Sequence, residues 1–145
     1  MIVESETLQM KLNAFHEAFK HPTDAIYEKV SINKIKSLRV SLIREEFQEV
    51  MSAIHAKKNK DSILKELCDL VYVCVGFADT FGWNFEEAFN RVHASNMSKL
   101  GEDGAPIYRD DGKILKSAQY KEPNLKDLVS GSSLTGDMLD NEKEL

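Results

Sequence analysis

Residues 61–82 read DSILKELCDLVYVCVGFADTFG. Asp61 is placed to cap the start of a helix and Gly82 to close it, so the stretch predicts a helix from Asp61 to about Phe81. That helix is apolar nearly all round, the signature of one buried in a bundle or an oligomer. Asp69 and Asp79 break its greasiest run, Leu67 to Phe81, which is too short and too polar to span a bilayer. On either side the chain avoids breakers. Before residue 100 only Gly76, Gly82 and Pro22 occur, which reads as mostly helical. A first helix is predicted over Glu6 to Lys20, where Leu8, Leu12, Phe15 and Phe19 recur at helical spacing, and His21-Pro22 ends it. A second is predicted over Asn33 to Lys57. Asn84 with Glu87 resembles a capping box and opens a fourth helix to about Leu100.

After Leu100 the character changes. Ile107-Tyr108-Arg109, then Asp110-Asp111-Gly112, then Lys113-Ile114-Leu115 predict a short β-hairpin about an Asp-Gly turn. From about Ser130 the chain turns to Gly, Ser and acids, so residues 130–145 are expected to be a disordered tail. A chain of 145 residues suits one domain with a real core, expected over residues 1–129. The net charge of -5 argues against a nucleic-acid partner. Cys68 and Cys74 both lie inside the apolar run, which suits reduced, buried thiols in a cytosolic protein. The opening MIVESETLQMK has no basic stretch followed by an apolar one, so no signal peptide is expected. The class expected is an all-α, soluble, cytoplasmic domain with no membrane partner.

Two acidic patterns carry the chemistry: Glu45-Glu46-Phe47-Gln48-Glu49 and Glu66-Leu67-Cys68-Asp69. Each places carboxylates three apart, as neighbours on one helical face. A solvated acidic face is one reading. Helical phase favours another. At roughly 100° per residue, Glu46 and Glu49 continue the stripe of Ile35, Leu38 and Leu42, while a second stripe runs through Ile43, Phe47, Val50 and Ile54. Glu45 lies toward the edge. Glu66 and Asp69 align with Leu70, Val73 and Phe77, so these acids are expected to point inward. Clustered inward carboxylates need protons, basic partners or a hard cation. Oxygen donors from two helices suit Mg²⁺ or Mn²⁺. Zinc and di-iron are disfavoured, because no cysteine stands near a histidine at ligand spacing and no Glu-x-x-His occurs. On the fourth helix, Asn96 and Lys99 extend the stripe of Phe85, Phe89 and Val92, as an amide and a cation for a polyphosphate or as a fraying end with a snorkelling lysine.

Taken together, Glu-Glu-x-x-Glu at 45–49, Glu-x-x-Asp at 66–69 and Asn-x-x-Lys at 96–99 resemble the all-α nucleoside triphosphate pyrophosphohydrolases. These are the MazG-like proteins, related to phosphoribosyl-ATP pyrophosphohydrolase and to dimeric dUTPases. Phe15-His16-x-Ala-Phe19 and the Gly-x-Pro-Ile-Tyr-Arg-x-Asp-Gly-Lys segment resemble a small single-domain branch of bacteria and phages. The resemblance implies a four-helix bundle that assembles as a homo-oligomer, a tetramer in preference to a dimer. It implies Glu46, Glu49, Glu66 and Asp69 as ligands of two or three Mg²⁺ ions, with Mn²⁺ able to substitute, and Glu45 as the residue that orients or deprotonates water. Asn96 and Lys99 would contact sugar or phosphates. The implied reaction takes a (deoxy)nucleoside triphosphate, leaning to a purine such as dGTP, to the monophosphate and pyrophosphate.

Other positions stay open between two readings. Asn13, Phe15 and His16 either bind a base, or Phe15 is core and the other two are exposed. Arg109, Lys113, Lys116 and Tyr120 either close over the triphosphate or decorate an exposed ribbon. Trp83 reads more as a packing anchor than a base platform, and Arg39 and Arg44 as surface residues or partners of acids. Competing functions are phosphoribosyl-ATP hydrolysis and a non-enzymatic helical interaction module.

Overall fold

The computed structural model of the chain describes residues 5–21 and 32–129. Its helices are α1 (Leu8–Ala18), α2 (Ile32–His55), α3 (Lys60–Thr80), α4 (Phe85–Met97) and a single turn, α5 (Lys126–Val129). The all-α expectation holds, and the expected tail lies outside the described residues. The described residues fall into two compact units, one up to Phe85 and the other from Glu86 onward.

In the first unit α3 packs against both α2 and α1. Leu12, Ile35, Val50, Ala53, Val75, Ala78 and Phe81 are buried. Enclosing a side chain such as Val75 contributes about 1.5–3 kcal/mol. That packing holds α3 helical, since Ile63, Val71, Val73 and Val75 are β-branched and favour a helix only weakly by themselves. Phe77, Phe81 and Trp83 pack with ring centroids 5.1, 5.6 and 5.8 Å apart, against Ile35 and Ile32. Trp83 is therefore part of the core.

The helix ends follow local rules. Thr7 caps α1, its hydroxyl accepting from the Met10 N–H at 3.2 Å. Asn59, rather than Asp61, stands at the N-cap of α3. Asp61 instead sits in the first turn, where its charge suits the positive end of the helix dipole. Gly82 closes α3 at a left-handed φ of 69°. Its N–H donates to Asp79 O at 3.1 Å and that of Trp83 to Ala78 O at 3.0 Å, the paired bonds of a Schellman end. The same pairing closes α1 and α2, but with Lys20 (φ 51°) and Lys57 (φ 49°) in the left-handed position. Gln9 joins α1 to the start of α4. Its Nε2 donates to Trp83 O at 2.6 Å and its Oε1 accepts from the Phe85 N–H at 2.8 Å.

Within the single chain, the helix apolar all round is enclosed only from Val75 onward, and its first half leaves Leu64, Leu67, Val71 and Tyr72 exposed. Cys68 and Cys74 are free but exposed, not buried, because they fall on flanks of α3 that the core does not enclose. On α2, Phe47 and Ile54 are likewise exposed, so only part of the second stripe reaches the core.

The second unit is the rest of α4 and the segment that follows. Hydroxyls pin that segment to the end of α4. Ser95 Oγ donates to Lys121 O at 2.7 Å, Ser117 Oγ to Leu100 O at 2.7 Å, and Ser98 Oγ accepts from the Lys121 N–H at 2.9 Å. Arg91 grips Glu87 at 2.8 Å and Asp127 at 2.6 and 3.0 Å. The hairpin is present at its minimum, a single antiparallel bridge between Tyr108 and Ile114, with the Gly112 N–H donating to Arg109 O at 2.8 Å. Phe89, expected on the apolar stripe of α4, is exposed in this chain.

Candidate active site

The buried residues of α2 are Ile35, Arg39, Val50 and Ala53. Glu46 lies in the middle of that face by helical phase, with Glu49 roughly 60° and Glu45 roughly 100° away. The structure follows this phase: Glu46 is half-buried, while Glu45 and Glu49 are exposed. α3 brings Glu66 and Asp69, both half-buried, to meet Glu46. One oxygen from each of Glu46, Glu66 and Asp69 lies within 4.8 Å of the other two. Three of the four expected ligands thus converge. Glu49 stands outside the group, although its charge reaches Glu46.

The electrostatics mark Glu46 as the strained member. Burial holds its carboxyl above the ordinary range, and the charges of Glu49, Asp69 and Glu66 add to that against the opposing Lys65. Its Oε2 is buried with no hydrogen-bond partner. Lys65 Nζ lies 2.7 Å from Asp69 Oδ2 and 3.5 Å from Glu66 Oε2. A donor set of carboxylate oxygens around one unsatisfied acceptor fits a hard divalent cation, and the residues that could hold it are these three.

A second polar cluster, largely missed in the sequence, lies inside the first unit. His16 is not exposed but buried, its Nδ1 2.7 Å from Asp79 Oδ2. Burial pulls the His16 pKa down, the Asp79 hydrogen bond opposes that, and the nearby Arg39 charge lowers it again. Arg39 is buried as well. A Cβ at Gly76 would meet Leu12 at 3.4 Å, His16 at 3.5 Å and Arg39 at 3.6 Å, so α1 and α2 both reach the α3 backbone there. The available signal was Asp79 itself, an acid inside an apolar helix opposite a helix carrying a histidine. Phe15 is half-buried against His21 at 5.6 Å and Tyr72 at 5.4 Å, while Asn13 and Arg44 are exposed.

An apolar groove of about 280 Å³ runs between α1 and α3, lined by Leu8, Leu12, Leu67, Val71, Tyr72 and Val75 among others. It lies on the far side of α3 from the carboxylates, since residues 67, 71 and 75 stand roughly 100–180° from Glu66 in helical phase.

The remaining expected substrate residues belong to the second unit. Asn96 is exposed and Lys99 half-buried. Arg109 is held by Asp111 across the turn, with an Nε to Oδ1 distance of 2.8 Å. Lys116 Nζ sits 4.4 Å from the centre of the Tyr120 ring. Lys113 is exposed.

No described helix is long and apolar enough to cross a membrane. The chain is 25% identical over 141 residues to an uncharacterised protein of Acanthamoeba polyphaga mimivirus, covering 94% of this chain and 53% of that one, so it spans about half the length of this relative. The model of the phosphoribosyl-ATP pyrophosphohydrolase family matches residues 12–96, which includes both carboxylate pairs. That match covers more than half of the chain, which therefore belongs to the phosphoribosyl-ATP pyrophosphohydrolase family, among the MazG-like all-α pyrophosphohydrolases.

Proposed function

We propose that this chain is a Mg²⁺-dependent pyrophosphohydrolase of (deoxy)nucleoside triphosphates, yielding the monophosphate and pyrophosphate. The observation that carries the reading is the convergence of Glu46, Glu66 and Asp69 from two helices around an unsatisfied buried oxygen of Glu46. Membership of a pyrophosphohydrolase family supports the reaction type. Glu46, Glu66 and Asp69 would hold Mg²⁺ or Mn²⁺, and Glu49, one turn from Glu46, would complete the set. Bound divalent cations supply charge neutralisation on the phosphates and make water easier to ionise. The protein's own part is positioning and a fixed electrostatic frame. Glu45, exposed beside Glu46, is proposed to orient the attacking water and accept its proton. Asn96 and Lys99 are proposed for sugar and phosphate contacts, on the family resemblance alone. A purine dNTP such as dGTP is the preferred substrate on the same ground.

A second substrate reading, phosphoribosyl-ATP, is favoured by the description of the matching family. The exposed apolar run Leu64, Leu67, Val71 and Tyr72 favours a homo-oligomer, the tetramer being the assembly proposed. One experiment tests the reading: a panel of the eight common NTPs and dNTPs plus phosphoribosyl-ATP, with Mg²⁺, assayed for pyrophosphate. Asp69→Ala is expected to abolish release while helix content by circular dichroism stays unchanged. Full activity in that variant overturns the ligand assignment, and no release from any substrate overturns the enzymatic reading.

A further inference from the structure

Among the described residues, Lys65 is the cation that pairs with two of the three carboxylates, Glu66 and Asp69, and the metal reading gives it no role. Its ammonium lies 2.7 Å from Asp69 and 3.5 Å from Glu66, so two of the three groups that would hold a metal already hold a charge tethered to their own helix. The stem places it there by register. Lys65 and Asp69 are four apart and share a face. The lysine side chain is 63% exposed, so it can swing away without disturbing the core.

Resting on the metal reading above, we propose that Lys65 is an internal counter-ion that competes with the divalent cation for Glu66 and Asp69 and then, once displaced, contacts the substrate phosphates. An ammonium and a dication cannot share the same carboxylate oxygens without strong like-charge repulsion. The displaced ammonium keeps three donors, remains anchored beside the cations, and finds its best acceptors on a polyphosphate. Metal alone therefore binds against Lys65, whereas metal with a polyphosphate gives the released lysine a new partner. Metal and nucleotide binding are coupled through this side chain.

Calorimetric titration of the full chain tests this, with Mn²⁺ first and inorganic tripolyphosphate at saturating Mn²⁺ second. Wild type is compared with Lys65→Met and Lys65→Arg, whose exposed position leaves folding intact by circular dichroism. Lys65→Met is expected to bind Mn²⁺ roughly three- to tenfold more tightly and tripolyphosphate roughly tenfold more weakly, the scale of forming or breaking one exposed charge pair. Lys65→Arg is expected to stay with the wild type on both measures. Equal Mn²⁺ affinity in wild type and Lys65→Met overturns the competition. Tighter Mn²⁺ with unchanged tripolyphosphate affinity overturns the phosphate contact, and an arginine variant that follows the methionine one overturns the role of charge. Absence of Mn²⁺ uptake by the wild type is a separate result: it overturns the metal reading, and this proposal with it.

Discussion

Glu46→Gln is expected to make the metal-free protein more stable and the metal-loaded protein less stable than wild type. In the metal-free state Glu46 faces Glu66 and Asp69 with oxygens within 4.8 Å. Each such pair repels by about 1 kcal/mol in a water-like dielectric. Lys65 offsets part of this, which leaves a gain of about 1–2 kcal/mol on removing the charge. That corresponds to a rise of about 2–8 °C in midpoint for a protein of this size class. The sign with pH follows from the raised carboxyl pKa of Glu46. Its contribution is present below the ordinary value of 4.5 and is lost as pH rises through the folded value, so the advantage of the variant opens with rising pH. Cation binding reverses the order. Ligand binding to the native state stabilises it by about 2.7 kcal/mol at a hundred times the dissociation constant, and a variant lacking one anionic donor takes up less. Thermal melts at about pH 7.5 in EDTA and in excess Mn²⁺ check both halves. A Glu46→Gln protein that melts below wild type in EDTA, or gains as much from Mn²⁺, contradicts this account.

Three further outcomes follow from the packing. The folded pKa of His16 is lowered, so the native state binds fewer protons than the unfolded chain; stability is full above pH 6.5 and lost as pH falls toward the folded value. Denaturant titrations from about pH 7.5 to 5.5 should show this slope, and His16→Asn should flatten it. Gln9→Ala strips partners from Trp83 O and the Phe85 N–H and should cost about 1–3 kcal/mol in denaturant unfolding. Lys57→Gly removes a side chain from a left-handed position and should raise stability by about 1 kcal/mol. A loss on that change shows that Lys57 does not hold that conformation in solution.

Whatever neighbours three and four residues apart decide can be read from the sequence alone. The helix spans, the stop at Gly82, the Asp-Gly turn before Lys113 and the pairing of Glu66 with Asp69 depend on local geometry alone, and they match the structure to within a few residues. The inward phase of Glu46 was legible too, because it continues the stripe of Ile35 and Leu42. Folding in three dimensions settled which flank of each helix another helix covers, and no periodicity records that. Glu46 is half-buried while Glu49, on the same predicted stripe, is exposed. Cys68, Cys74 and Leu64 look like core by composition and are exposed, because the first half of α3 is not enclosed within the chain. The pairing of His16 with Asp79 joins residues 63 apart, so it exists only once α1 lies against α3. Lys65 was readable as an i, i+4 partner of Asp69, yet its significance depends on Glu46 arriving from α2 to complete the cluster.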